Sequence, residues 1–262
     1  NGRGINGYIS EVLIYNRALS ASEKNAVGDY LGNKYAITTS YTPETDGIGP
    51  GSVALSTIPV NAVSSSTISA LATNQAEFGD LTVSDGATLT SSGSAQGFKT
   101  ATIAGGATAV GFDAGTTTYL TDTAGLDGSS ASVTITKTGS GDLVLDQAGT
   151  GLGSATFDVQ AGGLAAVDTG AFGSAAISLN GGELVLSSSG SNLTYSEAVG
   201  VVAASTLTAG QAGSGVAGTI TNTLSGDITF TGTPTLTTRA TDSYTLRLSG
   251  NIVNNGTLSI TE

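Results

Sequence analysis

The feature that most constrains the fold is a strand–turn–strand pattern that recurs from Phe78 to Glu262. In each copy, alternating apolar and hydroxyl-bearing residues precede a glycine-containing turn, and a second alternating run follows it. Marker glycines recur after 20, 22 and 19 residues in the pairs Gly86–Gly106, Gly141–Gly163 and Gly163–Gly182. One such unit cannot bury its own apolar face, so successive units must stack and share a core. The pattern predicts an all-β fold, a parallel β-helix (β-solenoid) with about twenty residues in each rung.

The composition fits stacked strands joined by tight turns. The chain has 39 glycines, 11% charged residues and few aromatics, with Ser and Thr throughout. Glycine supplies the positive φ that tight corners require, and β-branched residues suit a pleated sheet. Low charge also argues against disorder. Residues 78–262 should form about nine rungs at about 4.8 Å each, a solenoid of about 40–45 Å. Residues 193–210 are the least regular, and we expect an outward bulge or an inserted loop there.

The chain is predicted to divide into three parts: a strand-plus-helix unit at residues 1–37, a linker or the beginning of the solenoid at residues 38–77, and the solenoid at residues 78–262. In the first part, Tyr8–Tyr15 has high β-propensity. Ser20 and Glu23 then fit a capping box at a helix start. One strand and one helix cannot bury their own surfaces. They must pack on a preceding domain, on the end of the solenoid or on a neighbouring chain.

The first part resembles a known family. Gly7–Ser20 reads G-Y-I-S-E-V-L-I-Y-N-R-A-L-S and Tyr30–Tyr35 reads Y-L-G-N-K-Y. Both segments resemble the closing strand and short helix of bacterial concanavalin-like (laminin-G-like) jelly-roll domains. The other strands of that family, and its calcium- and sugar-contacting loops, do not occur in this sequence. The resemblance therefore does not extend to glycan binding.

The solenoid region is similar to a second family. Thr136–Leu145 reads T-K-T-G-S-G-D-L-V-L and Val159–Leu164 reads V-Q-A-G-G-L. These segments resemble the two halves of the autotransporter-associated β-strand repeat found in secreted passenger domains. The resemblance implies a right-handed parallel β-helix that is exported to the bacterial cell surface or the extracellular space.

Charge and residue types exclude several kinds of partner. Eight basic and twenty acidic residues give a net charge of −12. Nucleic acid is excluded as a partner because neutralising phosphates requires clustered Lys and Arg. Cys and His are absent, so the chain has no disulfide framework and no thiolate or imidazole metal site. No apolar run is long enough to span a membrane as a helix.

We also expect no catalysis and no cofactor. A glycosidase on a β-helix would need two facing carboxylates and usually basic groups beside them. Asp142 with Asp158, or Asp146 with Asp168, could be neighbours on successive rungs, but neither His nor an arginine cluster accompanies them. These aspartates are better interpreted as turn and surface residues.

Two further motifs suggest ligands, each with a simpler interpretation. Gly139-Ser140-Gly141-Asp142 is the nearest approach to a calcium-binding repeat turn, but it occurs once. Arg239 and Arg247 flank residues 241–244, where a sugar or carboxylate site is an alternative to an exposed strand face with one Arg–Asp pair. Corner chemistry and surface exposure account for both motifs.

The remaining candidate is an assembly strand near the amino terminus. An apolar strand can pair with the exposed sheet edge of a neighbouring molecule. The residues concerned are Tyr8, Ile9, Val12, Leu13, Ile14 and Tyr15. The sequence thus favours a structural β-solenoid, extracellular or on the bacterial cell surface, that acts as a stalk or filament subunit. Its expected partner is itself, through a head-to-tail polymer. The alternative is a glycan-binding adhesin segment of an autotransporter-like protein, with surface glycans as the partner.

Overall fold

The computed structural model describes residues 54–55, 58–70, 75–120, 126–128, 132–188, 191–210, 220–241, 244–253 and 256–260, together with five positions nearer the amino terminus. The chain divides into two compact units, Asn1–Pro50 and Gly51–Glu262. In the first unit, the described positions are all helical and lie within the predicted helix: Lys24, Val27, Gly28, Leu31 and Lys34. The candidate assembly strand, Tyr8–Tyr15, lies outside the described residues.

The second unit is built of short strands. They are β1 (Ala54–Leu55), β2 (Val60–Ala62), β3 (Ser66–Ala70), β4 (Ala76–Val83), β5 (Thr88–Gly93), β6 (Gln96–Ile103), β7 (Ala109–Ala114), β8 (Thr118–Leu120), β9 (Leu126–Asp127), β10 (Thr134–Thr138), β11 (Leu143–Leu145), β12 (Thr156–Val159), β13 (Gly163–Ala166), β14 (Ala176–Leu179), β15 (Glu183–Leu186), β16 (Leu193–Tyr195), β17 (Val199–Val201), β18 (Ser205–Ala209), β19 (Ile220–Leu224), β20 (Ile228–Phe230), β21 (Thr235–Ala240), β22 (Tyr244–Leu248), β23 (Ile252–Val253) and β24 (Thr257–Ile260).

The strands form three sheets, and neighbouring strands within each sheet run parallel. The first sheet runs β1-β4-β6-β8-β11-β13-β15-β18-β21-β24, with β2 and β9 pairing beside this path. The second runs β3-β5-β7-β10-β12-β14-β17-β20-β23, and the third contains β16-β19-β22. The chain alternates between the first two sheets and completes about eight turns, against about nine predicted. The predicted fold class, an all-β parallel solenoid, is confirmed.

Strand alternation explains why these residues stack. In β12, Phe157 and Val159 are buried, while Thr156 and Asp158, which alternate with them, are partly exposed. The next rung repeats this arrangement, with Phe157 beside Ile177 and Val159 beside Leu179. Side chains of one kind therefore form columns along the solenoid, and a single continuous core runs from Ala62 to Leu236.

Rung length varies more than the glycine spacing predicts. Phe78 lies beside Phe98, twenty residues later, whereas Leu207 lies beside Thr238, thirty-one residues later. The longest rung carries β19 of the third sheet, whereas β16 and β22 lie in rungs of twenty-three and twenty-two residues. In place of the predicted bulge or loop, residues 193–210 contain β16, β17 and β18.

Strands also occur before the predicted start of the solenoid. Strands β1, β2 and β3 lie within residues 38–77, where β1 and β2 pair with β4 and β3 pairs with β5. Among the described residues, no helix is both long and apolar enough to cross a membrane.

Candidate functional site

The turns that lead from the second sheet into the first form one short corner of the solenoid. They span residues 115–117, 139–142, 160–162, 180–182, 202–204 and 231–234. Positive φ angles of 77° at Gly139 and 61° at Gly162 allow the chain to turn within so few residues. We call this stack of turns the short corner.

A groove of 430 Å³ follows the short corner across several rungs. Its floor is glycine, at Gly162, Gly163, Gly181 and Gly182, and its sides carry the carboxylates of Asp142 and Glu183 with the hydroxyls of Ser140, Ser205, Thr206, Thr235 and Thr237. These groups can donate and accept hydrogen bonds with a polar ligand. No aromatic side chain is among the lining residues, so the groove offers no stacking surface to a sugar ring.

Lys137 lies beneath this corner and is fully buried. It occupies an otherwise apolar column, between Phe112 on one rung and Val159 on the next. Its Nζ donates to the carbonyl oxygens of Thr138 at 2.8 Å, Gly139 at 3.1 Å and Ala161 at 2.9 Å. An ammonium group has three N–H donors, and each one finds a backbone acceptor here.

The charge state of Lys137 reflects opposing influences. Burial lowers the pKa of its amino group to about 8, while the nearby carboxylates of Asp142 and Asp113 favour the ammonium form. At neutral pH the group is therefore mainly charged. It joins two successive turns of the corner, residues 138–139 and 161, from the inside.

The calcium interpretation of Gly139-Ser140-Gly141-Asp142 concerns this same turn. The Thr138 carbonyl just before the turn and the Gly139 carbonyl within it both accept hydrogen bonds from the Lys137 ammonium. Across the part of the chain that the structure describes, no group of three or more acidic side chains is placed to hold a metal ion. The turn is thus held by the cation of the chain itself.

A second polar arrangement crosses three rungs of the first sheet. Thr208 of β18 donates to the Glu183 carboxylate of β15, and Arg239 of β21 donates from Nε to Thr208 Oγ1 at 2.9 Å. Arg239 Nη2 also forms an ion pair with Glu183 Oε1 at 2.8 Å. The partner of Arg239 is therefore a carboxylate 56 residues away in the chain, whereas Asp242 lies outside the described residues. Arg247 is exposed on β22.

Many of the acidic side chains bond to the rung above or below their own. Among the described residues, these inter-rung bonds join Asp80 to Thr100, Asp85 to Thr108 and Ala109, Asp113 to Thr90 and Thr138, Asp227 to Asn251, and Glu183 to Thr208 and Arg239. At Asp85, bonds from the Thr108 and Ala109 backbone lower the pKa of the carboxyl. The carboxylates thus act as links between successive rungs.

Of the two candidate catalytic pairs, Asp142 and Asp158 lie in different parts of the fold, whereas Asp146 directly follows β11 and Asp168 follows β13, its neighbour on the next rung. Asp158 lies in β12 of the second sheet and accepts a bond from Gln160, whereas Asp142 lies in the short corner before β11. Asp168 accepts a bond from the Gly170 amide in the turn after β13. Asp158 and Asp168 thus each accept a hydrogen bond from a residue two positions later in the chain.

Sequence reasoning missed a polar cluster inside the solenoid. The fully buried Tyr195 hydroxyl donates to the carbonyl of Ser187. Asn222 Nδ2 donates to Leu186 and the Tyr244 hydroxyl to Ser188, both at 2.8 Å. Three inward side chains of the third sheet therefore hold the backbone of residues 186–188, at the end of β15. The periodic signal could not reveal this cluster, because polar residues at inward positions look like breaks in the pattern.

The ionisable groups of this cluster are shifted by burial. Burial raises the pKa of the Tyr195 hydroxyl, and the carboxylates of Asp168 and Glu197 add to the effect. Burial likewise raises the pKa of the Glu197 carboxyl, although backbone hydrogen bonds oppose the shift. The Tyr195 hydroxyl therefore keeps its proton at neutral pH and can donate its hydrogen bond.

Comparison with protein-family models, characterised proteins and solved structures finds no match to this chain.

Proposed function

We propose that this chain is a structural β-solenoid of an extracellular or cell-surface protein, acting as a stalk or filament subunit. The observation that carries the proposal is the use of the charged side chains. Five carboxylates bond across rungs, and the buried Lys137 ammonium joins two corner turns. These charged side chains hold successive rungs together, as a structural spacer requires.

Parallel stacking also suits a spacer because it is modular. Each rung contacts mainly the rungs next to it, so stability is close to a sum of rung and interface contributions. The length of such a segment can change by whole rungs without altering the pattern of contacts. A catalytic or ligand-binding protein does not tolerate such a change at its site.

Removing one whole rung tests this modularity. Thr156 lies beside Ala176 in the second sheet, so deletion of residues 156–175 places Ala176 where Thr156 lies now. We expect the shortened chain to fold cooperatively, with unchanged β-sheet circular dichroism and a solenoid shorter by about 4.8 Å. The matched control deletes residues 156–165, half a rung, which would place first-sheet residues in the second sheet. If both deletions unfold the chain equally, the modular account is wrong.

The surface location is tested separately. The acidic composition and the resemblance to secreted passenger repeats support export. Antibodies against the chain should label intact source cells or the culture supernatant, and permeabilisation should add little. Labelling that appears only after permeabilisation would contradict an extracellular location. The adhesin alternative predicts, in addition, binding to surface glycans that is lost when the groove residue Asp142 or Glu183 is changed to Ala.

A further inference from the structure

Exposed aliphatic side chains collect at the two ends of the solenoid. Within the described ranges, five of the six exposed large hydrophobic residues are near its first or last strands: Ile58, Val63, Ile252, Val253 and Ile260. Val63 and Ile260 are 75% and 76% exposed. The sixth, Val202, lies midway along the short corner and is 44% exposed. The outer faces of the intermediate rungs are thus largely free of such side chains.

These residues accompany the strand edges at which the two main sheets end. At one end, β1 and β2 border the first sheet and β3 borders the second. At the other end the borders are β24 and β23. In the described chain these outer edges pair with no further strand. Both residues of β23 are exposed, and no residue of β24 is fully buried.

The described edge strands also lack two of the usual protections against pairing, charged residues and proline. Proteins normally block open edges with charged residues, proline, bulges or a covering segment. Strands β1, β2, β3, β23 and β24 contain no Asp, Glu, Lys, Arg or Pro, although the chain as a whole carries a charge of −12. Inner strands of the two main sheets carry charges freely, for example Glu183 in β15 and Arg239 in β21. Approach of one end to the other therefore meets no charge on the edge strands of the two main sheets, and Arg247 on β22, the edge strand of the third sheet, is the charge beside them.

Strand direction makes the two ends complementary to each other. The pairs throughout both sheets are parallel, so a copy shifted along the solenoid axis presents β2 and β3 to β24 and β23 in the same sense as any two successive rungs. Two identical ends facing each other would instead place the strands antiparallel. The contact is heterologous and repeats without closing, which generates a linear polymer.

We propose that a second copy of this chain occupies each end of the solenoid, with β24 pairing in parallel with β2 of the next copy and β23 pairing with β3. This inference rests on the proposed structural function and specifies its partner and surface. The strand Tyr8–Tyr15 stays a separate prediction for assembly.

Complementation between two blocked variants tests the proposal. One variant carries Ile58→Lys with Val63→Lys, which places two charges at the first end. The other carries Ile252→Lys with Ile260→Lys at the second end. Both pairs replace exposed side chains, so folding should persist. Val202→Lys is the matched control, because it changes an exposed aliphatic residue away from both ends.

Sedimentation velocity of the full chain over a range of concentrations gives the readout. The wild type and the Val202→Lys control should form polymers that lengthen with concentration. Each blocked variant alone should associate at least about tenfold more weakly, because charge opposes edge pairing. An equimolar mixture should form a one-to-one dimer that grows no further, since each variant keeps one free end.

Several outcomes would overturn the inference. A wild-type chain that is monomeric at every concentration would do so, as would self-association of one blocked variant as tight as that of the wild type. Polymers that persist in both blocked variants would move the interface elsewhere, for example to Tyr8–Tyr15. If a lysine variant loses its β-sheet signal, Ile58→Thr with Val63→Thr and Ile252→Thr with Ile260→Thr repeat the test with neutral side chains. The whole-rung deletion does not depend on association, so it can support a stalk even if end-to-end pairing fails.

Discussion

The two sides of the solenoid differ in the length of the links that turn the chain from one sheet to the other. On the short corner, the links from the second sheet to the first contain two to four residues, from residues 94–95 to residues 231–234. On the opposite side, the links from the first sheet to the second range from three residues, 63–65, to eighteen, 210–227. We call this opposite side the long side. One side keeps the rungs in register, and the other accepts insertions.

The difference appears in the chemistry of each side. The short corner relies on glycine and on the buried ammonium of Lys137, which bonds to backbone carbonyls of two turns. The long side adds a third sheet, whose inward residues Tyr195, Asn222 and Tyr244 bond to the backbone after β15. A solenoid can therefore vary in rung length if one side stays constant and the other buries polar partners for its extra backbone.

A substitution in the core shared by both sides should have the largest effect on the free energy of unfolding. Phe157 is fully buried and contacts Phe172 edge to face, with ring centroids 5.6 Å apart. Phe157→Ala should lower the free energy of unfolding by about 3–5 kcal/mol, because it leaves a cavity in the stack. Ile260→Ala, at an exposed position of the last strand, should change it by about 0.5 kcal/mol or less. Urea denaturation of both variants measures the contrast, and equal effects would mean that the rungs do not share a continuous core.

The short corner should be sensitive to a single added methyl group. At Gly162, φ is 61° and a Cβ would lie 2.5 Å from the Gly139 carbonyl oxygen and closer still to that of Gly141. Gly162→Ala should cost about 2–3 kcal/mol, from backbone strain together with crowding. Gly86 has a similar φ of 70° with no atom within 4 Å of its Cβ position, so Gly86→Ala should cost only about 1 kcal/mol. If Gly86→Ala lowered the free energy of unfolding more than Gly162→Ala, crowding at the short corner would not determine the loss of stability.

The ammonium of Lys137 should stabilise the short corner at neutral pH. Lys137→Met keeps an unbranched apolar stem but removes three donors, and should cost about 1–2 kcal/mol at pH 7. Lys99→Met, at a half-buried lysine of β6, is the control. A gain in stability for Lys137→Met would show that the cost of burying the charge exceeds the benefit of its bonds.

The pH dependence of unfolding sharpens that prediction. The pKa of Lys137 is lowered from 10.5 to about 8 on folding, so the chain takes up a proton on unfolding between these values. Folding therefore disfavours the charged form, and this penalty is absent above pH 10.5 and complete below pH 8, where the hydrogen bonds of the ammonium oppose it. Between pH 8 and 10, the free energy of unfolding of the wild type should rise relative to that of Lys137→Met. Parallel curves would contradict the lowered pKa.

On the long side, Tyr195→Phe should cost about 1–2 kcal/mol, because it removes the donor to the Ser187 carbonyl in a buried place. The pKa of Tyr195 is raised on folding, so its contribution is present below about pH 10 and is lost as the pH rises further. Thermal unfolding at pH 7 and pH 11 should show a smaller difference between wild type and variant at the higher pH. Tyr119→Phe, at a half-buried position of β8, serves as the control.

The smallest effect should come from the surface ion pair. Arg239 is 48% exposed, so its pair with Glu183 is screened by solvent. Glu183→Gln should lower the free energy of unfolding by about 1 kcal/mol or less, and added salt should reduce the difference. A loss of several kcal/mol would mean that the Glu183–Thr208–Arg239 bonds hold the long rungs together.

The sequence predicts the short corner better than the long side. Glycines such as Gly162 and Gly163 mark the short corner, but Gly86 and Gly106 lie in links of the long side. Alternation marks strands such as β12 and β14, because this signal is local. The third sheet escapes prediction because Tyr195 and Asn222 place polar atoms at inward positions, where periodicity expects apolar ones. Strands β1 to β3 lack marker glycines, so residues 38–77 are recognisable only by pairing.

The polar contacts could not be predicted for a different reason. Lysine is rarely buried, so Lys137 looks like a surface residue of its motif until the corner carbonyls are in place. Arg239 and Glu183 are 56 residues apart, and only the stacking of three rungs brings them together. Inter-rung bonds of this kind depend on the register of the stack, which no local pattern specifies.

Electron cryomicroscopy of the isolated chain tests the central claim most directly, because it shows both the stack of rungs and the fate of its ends. We expect solenoids of about eight turns, with strands about 4.8 Å apart along the axis, joined end to end into filaments that repeat once per subunit. Single unjoined particles at every concentration would contradict assembly through the ends. Particles without the strand spacing along one axis would contradict the solenoid itself.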